Sequence, residues 1–390
     1  MKDEAFDVAV IGAGVFGSWT AYLLRRAGAK VILIDAYGAG NSRSSSGGES
    51  RIIRMGYGPD EIYTRSAIHS LVQWKELFEL IEPQSSSEDQ RHFRKTGVLW
   101  LAHSEDAYCE ATLNVLRSLA VPVDLLTNED LQKRYPQFDL TDVAWGILET
   151  ESGALMARRA VQSVVTRAQA DGVVFRSEHV RAPNADSSFG SLETASGHKI
   201  HAGKFVFACG PWLPKLFPAL LTSKIYVTRQ EINFFGTPPG DESYGAPQMP
   251  IWVDFNDLVY AIPNLENRGF KLAIDAHGPE FDPDFGSRVV TAAGIEAARL
   301  YLQKRVPRLA EAPILESRVC QYENTSNGDF LIDRHPEVEN VWLVGGGSGH
   351  GFKHGPAVAE YVVSLLAGTG EVEPRFTLAT KQSVQQRQVY

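Results

Sequence analysis

Residues 6–17 read Phe-Asp-Val-Ala-Val-Ile-Gly-Ala-Gly-Val-Phe-Gly. Val8, Val10 and Ile11 form a short apolar run that suits a strand buried on both faces. The run leads straight into Gly-x-Gly-x-x-Gly. Gly12 allows a tight turn, Gly14 lets the backbone approach a pyrophosphate, and Gly17 lets the next helix lie against the strand. That helix is expected from about Ser18 to Ala27, with Ala21, Leu23 and Leu24 toward the sheet and a stop near Gly28. Its N-terminal N–H groups and dipole favour an anion. A second strand, Lys30-Val-Ile-Leu-Ile-Asp35, ends on an acid 18 residues past Gly17. A carboxylate there accepts hydrogen bonds from an adenosine ribose and disfavours a 2′-phosphate. A glycine turn alone is weak. With strand, helix and acid in place, the reading is a dinucleotide site in a parallel sheet rather than a ligand-free turn.

At 390 residues the chain exceeds what one core usually serves, so two domains are expected. A hydrophobic fraction of 44% suits a globular enzyme, and a net charge of −9 argues against nucleic acid or an anionic membrane as partner. Cys109, Cys209 and Cys320 show no C-x-x-C spacing, which points away from a disulfide framework or zinc site and toward a reducing compartment. No run is long and apolar enough to span a bilayer. Cytoplasm is the default expectation.

The polar loop Asn41-Ser-Arg-Ser-Ser-Ser-Gly-Gly-Glu-Ser50 follows the second strand, and its hydroxyls, those of Ser44 and Ser45 among them, suit a ribityl or phosphate group. In Arg51-Ile-Ile-Arg54 the i, i+3 spacing places both arginines on one side of a helical turn. Residues 61–80 read as a helix burying Ile68, Leu71, Val72, Leu77 and Leu80. A strand at 97–101 and a helix near 105–119 follow. Lys204-Phe-Val-Phe-Ala-Cys-Gly-Pro-Trp212 reads as a further strand of the first sheet, with Gly210 permitting close backbone approach. Residues 222–285 change to β-rich segments punctuated by Pro and Gly, as in an antiparallel sheet. A helix near 292–305 precedes strands at 318–322 and 340–345. Gly345-Gly-Gly-Ser-Gly-His-Gly-Phe-Lys353 then approaches a helix opening near Pro356. That stretch is either a second cofactor contact or an ordinary strand-to-helix turn.

Taken together, these motifs resemble the monomeric sarcosine oxidase type of enzyme, in the glycine/D-amino acid oxidase (DAO) group of flavoproteins. The residues concerned are Gly12, Gly14, Gly17 and Asp35; Arg51-Ile-Ile-Arg54 with Gly56-Tyr57-Gly58; Thr96-Gly97-Val98; and Tyr260 ahead of Gly269-Phe-Lys271-Leu. They continue through Cys320-Gln-Tyr322, Asp329-Phe-Leu-Ile-Asp333-x-His335-Pro336 and Ser348-Gly-His-Gly-Phe-Lys353, in family order over nearly the whole chain.

The resemblance implies an α/β fold in which a Rossmann-like FAD-binding domain (1–82, 150–220 and 318–390) is interleaved with an α+β substrate domain (83–149 and 221–317) built on a largely antiparallel sheet. It implies FAD held by Gly12, Gly14, Phe16, Gly17, Asp35, Ser44, Ser45, Arg51, Gly210, Gly347, Gly349, His350, Gly351, Phe352 and Lys353, and attached covalently through Cys320. Taken alone, Cys320 is as readily a packing cysteine. By resemblance Lys271 activates oxygen; by itself it could be a lysine snorkelling from an edge strand. Arg54 and Lys353 correspond to the pair that grips a substrate carboxylate. By resemblance Tyr260 and Tyr322 line the substrate cavity; taken alone, either is as readily a packing residue with its hydroxyl satisfied.

The implied reaction is FAD-dependent oxidation of the C–N bond of a secondary, N-alkyl or cyclic, amino acid to an imine, with O2 reduced to H2O2 by a monomeric enzyme. Two departures point away from sarcosine itself. Ser45-Ser46-Gly47-Gly48 stands where the family tends to carry a His-His pair, and Asp275 stands where a histidine commonly follows the lysine by four residues. A larger or cationic amine is expected instead. A flavin dehydrogenase using a carrier acceptor, or a flavoprotein acting on a partner-carried substrate, are the alternatives.

Overall fold

A computed structural model of the chain describes residues 5–83, 87, 90–183 and 189–386. Strand Ala5–Ile11 lies inside a seven-stranded sheet, parallel to Val31–Asp35 on one side and to Lys199–Phe207 on the other. Val174–Ser177 continues the parallel run beyond Val31–Asp35, and Val341–Gly345 continues it beyond Lys199–Phe207. The alternation of the pleat divides the first two strands between two cores. Val8, Val10, Val31 and Leu33 pack with the helices Val15–Arg26, Ala157–Ala170 and Gly355–Ala367, whereas Ala9, Ile11, Ile32 and Ile34 join Phe205, Phe207 and Leu343.

The second sheet has eight strands in the order Ile314–Thr325, Ile225–Phe235, Phe270–Ile274, Val259–Ile262, Ile251–Asp254, Val98–Ala102, Trp145–Glu149, Val123–Thr127. All neighbours are antiparallel except Ile251–Asp254 and Val98–Ala102. The fold is thus the α/β architecture with a largely antiparallel partner sheet that the sequence implied. The boundary expected at 318 falls inside the strand Ile314–Thr325, so Cys320 and Tyr322 are presented by the antiparallel sheet.

Two local expectations are corrected. Arg51–Ile53 is a strand, not a helical turn, paired antiparallel with Gly153–Leu155 in a small three-stranded sheet. A nucleus of one turn gains little by itself, while two β-branched residues beside an available strand gain a ladder and a packed face. The helix Glu61–Ile81 forms as read, but Val72 and Leu80 are exposed. Its buried stripe runs through Tyr63, Ala67, Leu71, Trp74 and Phe78, and Val72 and Leu80 point away from it. Among the described residues no helix is long and apolar enough to cross a membrane.

Candidate active site

A cleft opens where the parallel strands end, the usual ligand position in such sheets. Gly12, Gly14, Phe16, Asp35, Ser44, Ser45, Arg51, Gly210, Cys320, Gly347, Gly349, Gly351 and Phe352 line it. Gly12 turns with φ +103°, and a Cβ there would sit 2.3 Å from the carbonyl oxygen of Ala208. Gly17 lies under the turn rather than on the cleft: its Cβ would meet the Gly12 oxygen at 1.8 Å, the close helix–strand contact expected of it. A Cβ on Gly14 would touch only Ser46 Oγ, at 3.5 Å, so this face of the turn is open to a ligand. Asp35 is held at the next strand end by Ala13 N–H and Tyr37 N–H, each donating to its carboxylate at 2.8 Å. Burial raises its pKa, and those N–H bonds oppose the rise.

The floor of the cleft carries a group that calls for a partner. Glu323 is buried, its Oε1 has no hydrogen-bond partner, and a Cβ on Gly345 would press against that oxygen. Burial pushes its pKa up to about 8, against the N–H groups of Gly346 and Gly347. Glycine walls, the open side of the turn at Gly14 and Asp35 at the next strand end fit a dinucleotide cofactor such as FAD.

A second cavity adjoins the first, and Arg51, Cys320, Tyr322, Gly349 and Phe352 border both. Arg54, Tyr260, Lys271, Asp275, His350 and Lys353 line the second cavity alone. Three of these are buried cations. Lys271 donates from Nζ to the Ser50 carbonyl at 2.9 Å, and Lys353 donates to Tyr57 Oη at 2.7 Å and to the His350 carbonyl at 3.0 Å. Burial lowers both lysine pKa values well below the usual range, aided at Lys271 by Arg51 and at Lys353 by Arg54. Arg54 donates to the Gly56 carbonyl and lies over the rings of Tyr57, Trp100 and Phe255 at 4.4, 5.0 and 5.2 Å. Tyr260 stands with its ring 5.6 Å from Lys271 Nζ, and Tyr322 donates its hydroxyl to Asp275. Cations desolvated this way stand ready for an anion.

His350 lines the second cavity, which borders the cleft. Its ring stacks on Phe330 and its carbonyl anchors Lys353, because the turn Gly351–His354 folds the chain back over it. Lys353 also lines the second cavity.

Several residues build the site in ways that the sequence did not assign to them. Ser46 Oγ accepts Val15 N–H at 3.1 Å, so it, more than Ser44 or Ser45, secures the glycine-turn helix. Ser44 Oγ donates to Asn41 and Ser45 Oγ to Gln321, each at 2.9 Å. Fully buried Glu149 accepts from Met55 N–H at 2.7 Å, Gly56 N–H at 2.9 Å and Trp100 Nε1 at 2.8 Å, pinning the loop after Arg54. His354 Nε2 lies 2.7 Å from Tyr57 Oη and Nδ1 lies 2.9 Å from Ser66 Oγ. Nothing in local spacing singles these out, since each acts on a residue distant in sequence.

Residues 7–365 match the family described as FAD dependent oxidoreductase, and the chain belongs to that family. It is an FAD-dependent oxidoreductase. It is 32% identical to the monomeric sarcosine oxidase of Bacillus sp. (strain B-0618), over 97% of this chain and 98% of that protein. It is 29% identical to the peroxisomal sarcosine oxidase of Homo sapiens, over 97% and 95%. Its fold matches that of the L-proline dehydrogenase from P. horikoshii with a TM-score of 0.81 and 21% identity, covering 96% of this chain and 97% of the other.

Proposed function

We propose that this enzyme oxidises the C–N bond of a secondary amino acid, N-alkyl or cyclic, to an imine, and that O2 is reduced to H2O2. The observation that carries this reading is the placement of Arg54 and Lys353, both buried, in a cavity that shares its border with the cofactor cleft, where a bound carboxylate would favour the protonated lysine. Arg54 offers a planar fork and Lys353 a point charge to one carboxylate. The sarcosine oxidases among its relatives support a secondary amine. FAD, when bound, supplies a two-electron acceptor for the carbon α to nitrogen and passes those electrons to oxygen.

The chain's own residues do the rest. Gly12, Gly14, Asp35, Gly210, Gly347, Gly349 and Gly351 hold the dinucleotide, and Cys320, 3.4 Å from Arg51 Nη2, tethers it through sulfur. Phe16 and Phe352 wall it in. Arg54 and Lys353 fix the carboxylate, Tyr260 and Tyr322 shape the cavity, and Lys271 supplies positive charge where oxygen becomes anionic. Asp275 and the serines at 45 and 46 favour an amine larger than sarcosine. We further propose a monomer in a reducing, cytoplasmic setting, consistent with three free cysteines.

The test is anaerobic flavin absorbance with N-methyl amino acids, pipecolate and fructosyl amino acids added in turn. Bleaching that air reverses, with peroxide formed, supports the reading. A yellow protein that none of them bleaches refutes it.

A further inference from the structure

The second cavity is lined by Arg51, Arg54, Lys271 and Lys353, and only two carboxylates share that lining among the described residues. One of them, Asp254, is spent on Arg305, which it meets at 3.1 Å. The other is Asp275, directly after the strand Phe270–Ile274 that carries Lys271. Its backbone N–H donates to the Leu258 carbonyl at 2.6 Å, which fixes where the carboxylate stands. Tyr322, two strands away in the sheet, reaches across to donate its hydroxyl to Asp275 Oδ1. That bond engages one carboxylate oxygen and leaves Oδ2 for a ligand.

A secondary amino acid in neutral water is a zwitterion, because its nitrogen is as basic as a lysine amine. Its carboxylate goes to Arg54 and Lys353, so its ammonium enters a cavity already rich in positive charge. The nitrogen must be neutral before its lone pair can assist loss of hydrogen from the neighbouring carbon. We propose that Asp275, oriented by Tyr322, accepts the proton of the substrate's ammonium inside the complex. The N–H bond breaks with its electron pair remaining on nitrogen, and an O–H bond forms at Asp275. An ammonium–carboxylate pair becomes an amine and a carboxylic acid, with no redox partner needed. The inference rests on the amine-oxidising reading above.

The surroundings suit such an exchange. Burial raises the Asp275 pKa, while the Tyr322 bond, Arg54 and Lys353 hold it down. The other titratable groups facing the pair are Tyr260, Lys271, Arg51, Cys320 and His350, with His277 edge-on to the Tyr322 ring at 6.4 Å. A proton acceptor raised from the ordinary carboxylate range works closer to neutral pH.

The test is the pH dependence of anaerobic flavin reduction in the holoenzyme, with whichever secondary amino acid bleaches the wild type. The scan runs from about pH 6 to about pH 10, where a free secondary amine loses its own proton. Asp275→Asn keeps an oxygen for the Tyr322 hydroxyl and removes the base. Its reduction at neutral pH should fall on the order of 100-fold or more and recover as pH rises toward the amine's own pKa. Asp275→Glu should restore much of the neutral-pH rate. A carboxylate with sulfur in place of nitrogen, titrated by flavin absorbance, should bind Asp275→Asn as it binds wild type. Parallel pH profiles for wild type and Asp275→Asn would overturn the inference, as would loss of the sulfur ligand's binding in that variant. If no secondary amino acid bleaches the wild type, the amine-oxidising reading falls and takes this inference with it.

Discussion

Arg51 Nη2 donates to Cys320 Sγ at 3.4 Å, joining residues 269 positions apart at the border between the two cavities. The same guanidinium donates to the Ser45 carbonyl at 2.6 Å and the Ser50 carbonyl at 2.8 Å, so it is held by the loop that follows the second strand. Sulfur attack on an electrophilic carbon needs a neighbouring cation to favour its charged form. Acid precipitation of the wild type should give a yellow pellet, and Cys320→Ala should give a colourless pellet with flavin in the supernatant. Arg51→Met should leave most flavin unattached. Equal colour in all three pellets would show that the cofactor is not tethered at this sulfur.

Lys271 is the most isolated of the buried cations, with its ammonium on a single backbone carbonyl and Arg51 nearby. If its charge serves oxygen rather than substrate, Lys271→Met should leave anaerobic reduction within a few-fold of wild type. Reoxidation by air should slow on the order of 100- to 1000-fold, the usual cost of deleting one stabilising donor at a developing anion. Stopped-flow measurement of each half-reaction separates the two. A slowed reduction with normal reoxidation would assign Lys271 to the substrate instead.

How far the sequence carried the structure depends on the range of the interaction. The glycine turn, its strand and Asp35 were legible because their geometry is set within 30 residues by local steric rules. Lys271 and Lys353 were marked by motif, and both are buried at the second cavity. Arg51–Ile53 was misread as helical because its strand partner, Gly153–Leu155, lies about a hundred residues on and leaves no trace in the local pattern. Glu149 and Glu323 were passed over, and Ser46 was marked only as a departure from a motif, for the same reason. Each satisfies or strains backbone groups contributed by segments that only the fold brings near.

Glu149 makes this concrete. It holds Met55 N–H, Gly56 N–H and Trp100 Nε1 in a fully buried position. Glu149→Ala would leave four buried donors unmet, the Ser152 hydroxyl among them, at roughly 1–3 kcal/mol for each. A loss of at least about 3 kcal/mol is expected in chemical denaturation, together with weaker substrate binding, since the same loop carries Arg54. Unchanged stability would mean that the loop finds other acceptors.

Arg54 and Lys353 should fail differently. Arg54→Met removes a guanidinium packed over three aromatic rings, so both carboxylate affinity and local packing suffer. Lys353→Met removes a point charge held by Tyr57, and Tyr57→Phe removes only the hydroxyl that holds it. A charged hydrogen bond contributes about 1.5–3 kcal/mol, so Lys353→Met should raise the apparent Kd for substrate roughly 10- to 150-fold. Tyr57→Phe should raise it less. Equal effects from the two would show that position, not charge, governs Lys353.

Glu323 gives the protein a pH dependence of known sign. Burial raises its pKa from the ordinary 4.5 to about 8, so the folded state keeps this proton at pH values where the unfolded chain has lost it. The folded state then binds more protons than the unfolded one between about pH 4.5 and pH 8, and stability falls as pH rises through that window. Below it the contribution is fully present; above it the carboxylate sits charged and partly unpaired in the cleft. Glu323→Gln reproduces the protonated shape without a titratable group. The difference in melting temperature between wild type and Glu323→Gln should therefore change steadily across the window, with the variant losing less on going to pH 8. Because Glu323 lines the cofactor cleft, FAD retention on dilution should follow the same trend in any preparation that lacks the sulfur tether, such as Cys320→Ala. A pH-independent difference in melting temperature would place the Glu323 pKa outside the window.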